Sequence, residues 1–195
     1  MIIEQQLTIT MRKPRLFVIE GADCTGKSTL ARYIANKFNA AYFHATWSPN
    51  LNLAMGDYLS NMTENAKVCL TVSGLDVVMD RHWPSEYCYA LGLNRQSPMI
   101  DYAKLNQALV DLDVTYIFCF RSNPQLAIAM HDANKDIKHP YTREEYLSVY
   151  KEYLNLFGLG SQKKLLPENT KIALYCIDTY NSEAKMQVFV ADLFF

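Results

Sequence analysis

Three absences narrow what this 195-residue chain can be: it has no long apolar run, no surplus of charge and no closely paired cysteines. No segment approaches the about 20 apolar residues of a membrane-spanning helix. The opening Met1-Ile2-Ile3-Glu4-Gln5-Gln6 carries an early acid and no long apolar stretch, which argues against a signal peptide. A formal net charge of −1 gives no bulk pull toward nucleic acid or an anionic membrane, so any charge that binds phosphate must be local. Cys24, Cys69, Cys88, Cys119 and Cys176 show no C-x-x-C spacing, and four of them lie in apolar or aromatic stretches. They read as buried reduced thiols in a cytoplasmic protein rather than metal ligands or disulfides, and in that compartment the sequon Asn61-Met62-Thr63 has no consequence. Internal repeats and low-complexity tracts are also missing. With half its residues hydrophobic and 20% charged, the chain is expected to fold as one domain over residues 1–195.

What is present begins with Gly21-Ala22-Asp23-Cys24-Thr25-Gly26-Lys27-Ser28, set between the apolar run Leu16–Ile19 and the helix-like stretch from Thr29 to Ile34. This is the pattern of a P-loop in its proper frame. Its glycines allow backbone N–H groups to turn around phosphate oxygens, Lys27 can follow the β and γ phosphates, and the Ser28 hydroxyl can ligate Mg²⁺. A helix starting there also aims its positive dipole end at the anion.

Apolar runs recur at Leu16–Ile19, Ala41–Phe43, Val77–Met79, Thr115–Phe120 and Ile172–Ile177, each separated from the next by room for a helix. That rhythm predicts an α/β fold with a five-stranded parallel sheet flanked by helices in three layers. Leu30, Ile34 and Phe38 share a helical face, and Asn39 offers a stop. Thr142-Arg143-Glu144-Glu145 predicts a capping box, after which Tyr146, Val149, Tyr150, Tyr153 and Phe157 form a core stripe. Further helices are expected over about 101–110 and 182–193, and over 51–70, where Gly56 and the polar 60–65 stretch put continuity in question. The polar segment from Met130 to Tyr141, between two helices, is either a lid spanning about 130–143 or a solvated loop.

The run Leu75–Met79 ends in Asp80-Arg81-His82, which brings a carboxylate and a guanidinium to the carboxyl end of a buried strand, the edge where open parallel sheets bind ligands. Asp80 can hold Mg²⁺ through water, and Arg81 can grip a second phosphate with two parallel hydrogen bonds. His44, His82, His131 and His139 lie in no metal-ligand spacing and are expected at the surface or a pocket edge. Asn134-Lys135-Asp136 has its aspartate one place too early for a guanine-reading motif, which argues against a GTPase.

Phe17–Thr29 resembles the opening of thymidylate kinases, and Asp80-Arg81-His82-Trp83-Pro84-Ser85-Glu86-Tyr87-Cys88-Tyr89 resembles that family's second signature. Asp80, Arg81, Ser85 and Tyr89 match it in register, while His82 and Cys88 depart; the closest flavour is the divergent bacteriophage type. The late Cys176-Ile177-Asp178 is similar to the strand end that precedes the family's adenine-contacting loop. The resemblance implies a P-loop NTPase fold and transfer of phosphate from ATP to a deoxynucleoside monophosphate, most often dTMP. It implies an ATP site over Gly21, Asp23, Cys24, Thr25, Gly26, Lys27, Ser28 and Thr29, with Ser28 and Asp80 organising Mg²⁺. It further implies that Arg81 binds the acceptor phosphate, that Asp23 contacts the acceptor's sugar hydroxyl, and that Ser85 and Tyr89 belong to the acceptor side. Homodimers are common among such relatives.

In this family a transition-state arginine comes either from the P-loop or from the lid. The P-loop place is Cys24 here, which leaves Lys135, Lys138 and Arg143, with Arg143 favoured. Family arginines after the second strand and in the following helix have no counterpart, since no arginine lies between Arg32 and Arg81. His44 or Trp47 could fill part of that space, and Trp47 or Trp83 could stack on a base or sit in the core. Two alternatives follow: a deoxynucleoside kinase, and a P-loop module that binds nucleotide without transferring phosphate.

Overall fold

The computed structural model describes residues 12–46, 54–95, 100–133, 142–160, 166 and 170–194. Its strands are β1 (Leu16–Glu20), β2 (Ala41–His44), β3 (Val77–Asp80), β4 (Val114–Phe120) and β5 (Lys171–Cys176). Its helices are α1 (Lys27–Phe38), α2 (Met55–Thr71), α3 (Trp83–Gly92), α4 (Tyr102–Val110), α5 (Pro124–Ala133), α6 (Arg143–Leu156) and α7 (Glu183–Phe194). All five predicted runs are strands, parallel throughout, in the order β2-β3-β1-β4-β5.

Side chains alternate across each strand, so one sheet supports two apolar layers. Leu16, Val18, Val77, Met79, Tyr116 and Phe118 face the side covered by α2 to α6, while Phe17, Ile19, Val78, Ile117 and Cys119 face α1 and α7. Burial on both sides explains why the strands read as near-continuous apolar runs.

Local chemistry sets the helix limits. Asn39, in the left-handed region at φ 50°, ends α1 as expected. The Asp101 side chain accepts from Lys104 N–H at 2.9 Å and starts α4. At α6 the capping box forms in both directions: Thr142 accepts from Glu145 N–H, and Glu145 accepts from Thr142 N–H. α2 runs unbroken through Gly56 and the polar stretch that put it in question. Leu59, Met62, Ala66 and Leu70 are all buried along it, and one glycine costs only about 1 kcal/mol against alanine in a helix interior. The expected lid begins as helix, because Met130–Ala133 complete α5; residues 134–141 lie outside the described residues.

This topology positions the site. β1 lies between β3 and β4, with Ile19 opposite Asp80 and Glu20 opposite Phe118. The loops that follow these three strands therefore open at one edge of the sheet.

Candidate active site

The P-loop leaves β1 through two glycines whose hydrogens are required. Gly21 has φ 148°, and a Cβ there would lie 2.3 Å from the Cys119 carbonyl oxygen; Gly26 has φ 81°, and a Cβ there would lie 2.4 Å from Ile177 Cδ1. Cys24 also takes the left-handed region, at φ 61°. The Thr25 hydroxyl donates to Ala22 C=O at 2.8 Å, and Lys27 Nζ donates to Ala22 C=O at 3.1 Å and to Asp23 Oδ1 at 3.3 Å. Lys27 is buried, and burial together with Arg81 pushes its pKa down against the pull of Asp23 and Asp80. Ser28 and Thr29 stand in the first turn of α1, Thr29 exposed.

Asp80 closes β3 with no exposure. Its Oδ2 accepts from the Tyr42 hydroxyl at 2.9 Å and lies 3.0 Å from His44 Nδ1. Burial pushes its carboxyl up, but Ser28, Lys27, His44 and Tyr42 outweigh that and hold it below the usual carboxylate range. The Ser28 hydroxyl bears on this carboxylate, yet Asp80 Oδ1 is buried with no hydrogen-bond partner among the described residues. A buried, ionised oxygen left open beside a hydroxyl at a helix start suits a hard cation such as Mg²⁺.

Arg81 adopts φ 76°, a strained setting for a non-glycine residue, with its N–H donating to Ile19 C=O at 3.0 Å. Its guanidinium pairs with Asp23, so that Lys27 and Arg81 converge on one P-loop carboxylate. The guanidinium also stands 5.2 Å from the centre of the Tyr89 ring. Arg95, brought back after α3 by a turn at Asn94 (φ 47°), lies 6.0 Å from that ring and 3.5 Å from the buried Glu86.

Beneath this rim Glu20, fully buried, accepts from His82 N–H at 2.6 Å and from the Ser85 hydroxyl at 2.6 Å, with the Tyr153 hydroxyl at 3.5 Å. Burial raises its pKa to about 7 despite these donors and the charges of Arg81 and Lys27. It ties β1 to the start of α3 and so helps fix the Arg81 turn.

The structure thus gathers Asp23, Lys27, Ser28, Asp80, Arg81 and Tyr89 at one rim, while Ser85 lies buried beneath it with its hydroxyl on Glu20. Arg143 stands apart, exposed and donating to Gln125 at 2.7 Å. Lys135, Lys138 and Trp47 lie outside the described residues. Trp83 is core, donating to the buried Tyr116 hydroxyl at 3.0 Å. The surface expectation for histidines fails at two positions. His82 is buried, its Nε2 within 3.1 Å of Thr63 Oγ1 and Leu59 C=O, and burial pulls its pKa down to about 4. His131 is buried against the Tyr146 ring. For His82 these partners let the ring be buried neutral, which composition does not reveal.

Three charged residues went unread. Glu20 is a carboxylate inside an apolar strand, an oddity that could have marked it. Arg121 follows an apolar run as Arg81 does; it donates to Cys24 C=O at 3.1 Å and pairs with Asp178 at 2.6 Å. Arg95 carries no pattern and is found only once α3 has turned.

No protein-family model and no curated protein sequence matches the chain. Solved structures do. The YorR protein of Bacillus subtilis, in complex with phosphorylated GDP, is similar at a TM-score of 0.64 and 14% identity, over 91% of this chain and 96% of that one. A deoxyadenosine kinase from M. mycoides with products dCMP and dCDP gives 0.54 at 14% identity, over 91% and 98%. A thymidylate kinase from Ehrlichia chaffeensis gives 0.51 at 14% identity, over 93% and 97%. At such identities the likeness is one of fold, and the fold is the three-layer α/β architecture of P-loop nucleotide and nucleoside kinases.

Proposed function

We propose that this protein transfers the γ-phosphoryl group of ATP to a deoxynucleoside monophosphate, with dTMP the first candidate. The observation that carries the reading is the meeting of Lys27 and Arg81 on Asp23, between a P-loop and the end of the neighbouring strand. Phosphoryl transfer needs two polyanions brought in line and their charge neutralised, with no side-chain nucleophile. In this reading the residues over 21–29 bind the donor, and Lys27 leaves the Ala22 carbonyl to meet the transferring phosphate. Ser28 and Asp80 would hold Mg²⁺, which would supply charge neutralisation to the donor phosphates. Arg81 exchanges Asp23 for the acceptor phosphate, which frees the Asp23 carboxylate for the sugar hydroxyl. Ser85 and Tyr89 line the acceptor side. Arg143 is the lid-side candidate for the transition-state charge, reached only if it gives up Gln125.

A second reading, a deoxynucleoside kinase, is favoured by the absence of arginine between Arg32 and Arg81 and by the deoxyadenosine kinase among the structural neighbours. Incubating the protein with ATP, Mg²⁺ and matched panels of monophosphates and bare nucleosides separates the two. Diphosphate formed from a monophosphate is the expected result. Product from nucleosides alone transfers the assignment to the second reading, and ATP binding with no product from either panel favours a non-catalytic module.

A further inference from the structure

Three consecutive carbonyl groups of the P-loop each accept from a side chain, two of them from outside the loop. Ala22 C=O accepts from Thr25 and Lys27, both within the loop and the helix it opens. Asp23 C=O accepts from the Tyr146 hydroxyl of α6 at 2.7 Å. Cys24 C=O accepts from Arg121 Nε, beyond β4, at 3.1 Å. Across a planar trans peptide the N–H of the next residue points opposite to the carbonyl. Holding the Asp23 and Cys24 oxygens on Tyr146 and Arg121 therefore turns the N–H groups of Cys24 and Thr25 away from those donors, the orientation that a nest for phosphate oxygens requires.

The two outside donors are firmly seated. Tyr146 is buried, its ring 4.8 Å from that of His131. The Arg121 guanidinium is gripped by Asp178, and its backbone C=O accepts from the Tyr150 hydroxyl at 2.8 Å. Lys27, by contrast, must leave its carbonyl to serve a ligand, so in the bound state the outer donors carry the loop.

We propose that Tyr146 and Arg121 are positioning residues of the donor site, holding the Asp23 and Cys24 carbonyls outward so that the loop is set for a nucleotide polyphosphate before one arrives. The proposal rests on the kinase reading only in the choice of ligand, since any nucleoside triphosphate bound at this loop needs the same carbonyl orientation.

The test is calorimetric titration of full-length variants with ATP·Mg²⁺ and with ADP, a readout that needs no phosphate transfer. Tyr146→Phe deletes one hydroxyl and no charge, and Arg121→Lys keeps the charge but loses the Nε donor. Each is expected to weaken ATP about tenfold, the effect of losing one well-made hydrogen bond. The double variant should fall short of the product of the two, because both act on one loop. Tyr116→Phe is the control: its hydroxyl, in the middle of β4, donates to Asn106 Oδ1 at 3.0 Å, and its loss should leave affinity unchanged. Wild-type affinity in Tyr146→Phe and Arg121→Lys overturns the proposal, as does equal weakening in Tyr116→Phe. If the wild-type protein binds ATP but phosphorylates no acceptor, the kinase reading fails while this test keeps its force.

Discussion

Asp23 receives Lys27 and Arg81 together, and the pairing serves the unliganded protein by giving a buried and a half-buried cation a counter-charge. Removing Lys27 as Lys27→Ala should lower kcat by about 10²–10³, the usual cost of losing one donor to transition-state charge; steady-state kinetics at saturating ATP checks this. Glu20 allows a prediction about stability. Its carboxyl is raised from 4.5 to about 7 in the fold, so the folded state holds the extra proton and stability falls as pH rises from 4.5 to 7. His82, lowered from 6.5 to about 4, works the other way, adding stability as pH rises from 4 to 6.5. The two offset each other in the wild type. In Glu20→Gln only the histidine remains, so stability relative to wild type should rise by about 3 kcal/mol between pH 4.5 and 7. Urea unfolding of both proteins across that range measures the difference; a constant gap would mean Glu20 is ionised throughout. At this scale Lys27, Asp80 and Arg81 were legible because their neighbours in sequence announce a strand end or a phosphate loop. Tyr146 was read only as core, since helical spacing reports which side a ring faces and not where its hydroxyl ends.

Among the elements, α6 shows best how local sequence and site meet. Thr142 and Glu145 satisfy each other's exposed donors at its start, while Tyr146, Tyr150 and Tyr153 send hydroxyls to Asp23, to Arg121 and toward Glu20. Thr142→Ala should cost about 1 kcal/mol of stability, the common value of an N-cap. Denaturant unfolding would show it as a lowered midpoint at unchanged slope. An unchanged midpoint would mean that packing alone starts the helix. Such caps are readable because a few neighbouring residues decide them. The continuity of α2 was not, because a buried face of Leu59, Met62, Ala66 and Leu70 outweighs the weak local preferences of Gly56 and its polar neighbours.

For the whole molecule, the sheet order decides function more than any motif. The chain places β3 and β4 on either side of β1, which brings residues as far apart as Asp23, Arg81 and Arg121 to one edge. Alternating strands and helices imply a parallel sheet, but strand order is a long-range property, and it is what brings Arg121 to the P-loop. The central claim is that this edge joins a donor cradle to an acceptor phosphate held by Arg81. Its most direct measurement is the kcat/KM of Arg81→Ala for the preferred monophosphate, with the KM for ATP determined alongside. A fall of about 100-fold or more for the acceptor, with the ATP KM changed by no more than a few-fold, is the expected result for a lost phosphate contact. Unaltered acceptor kinetics in that variant would contradict it.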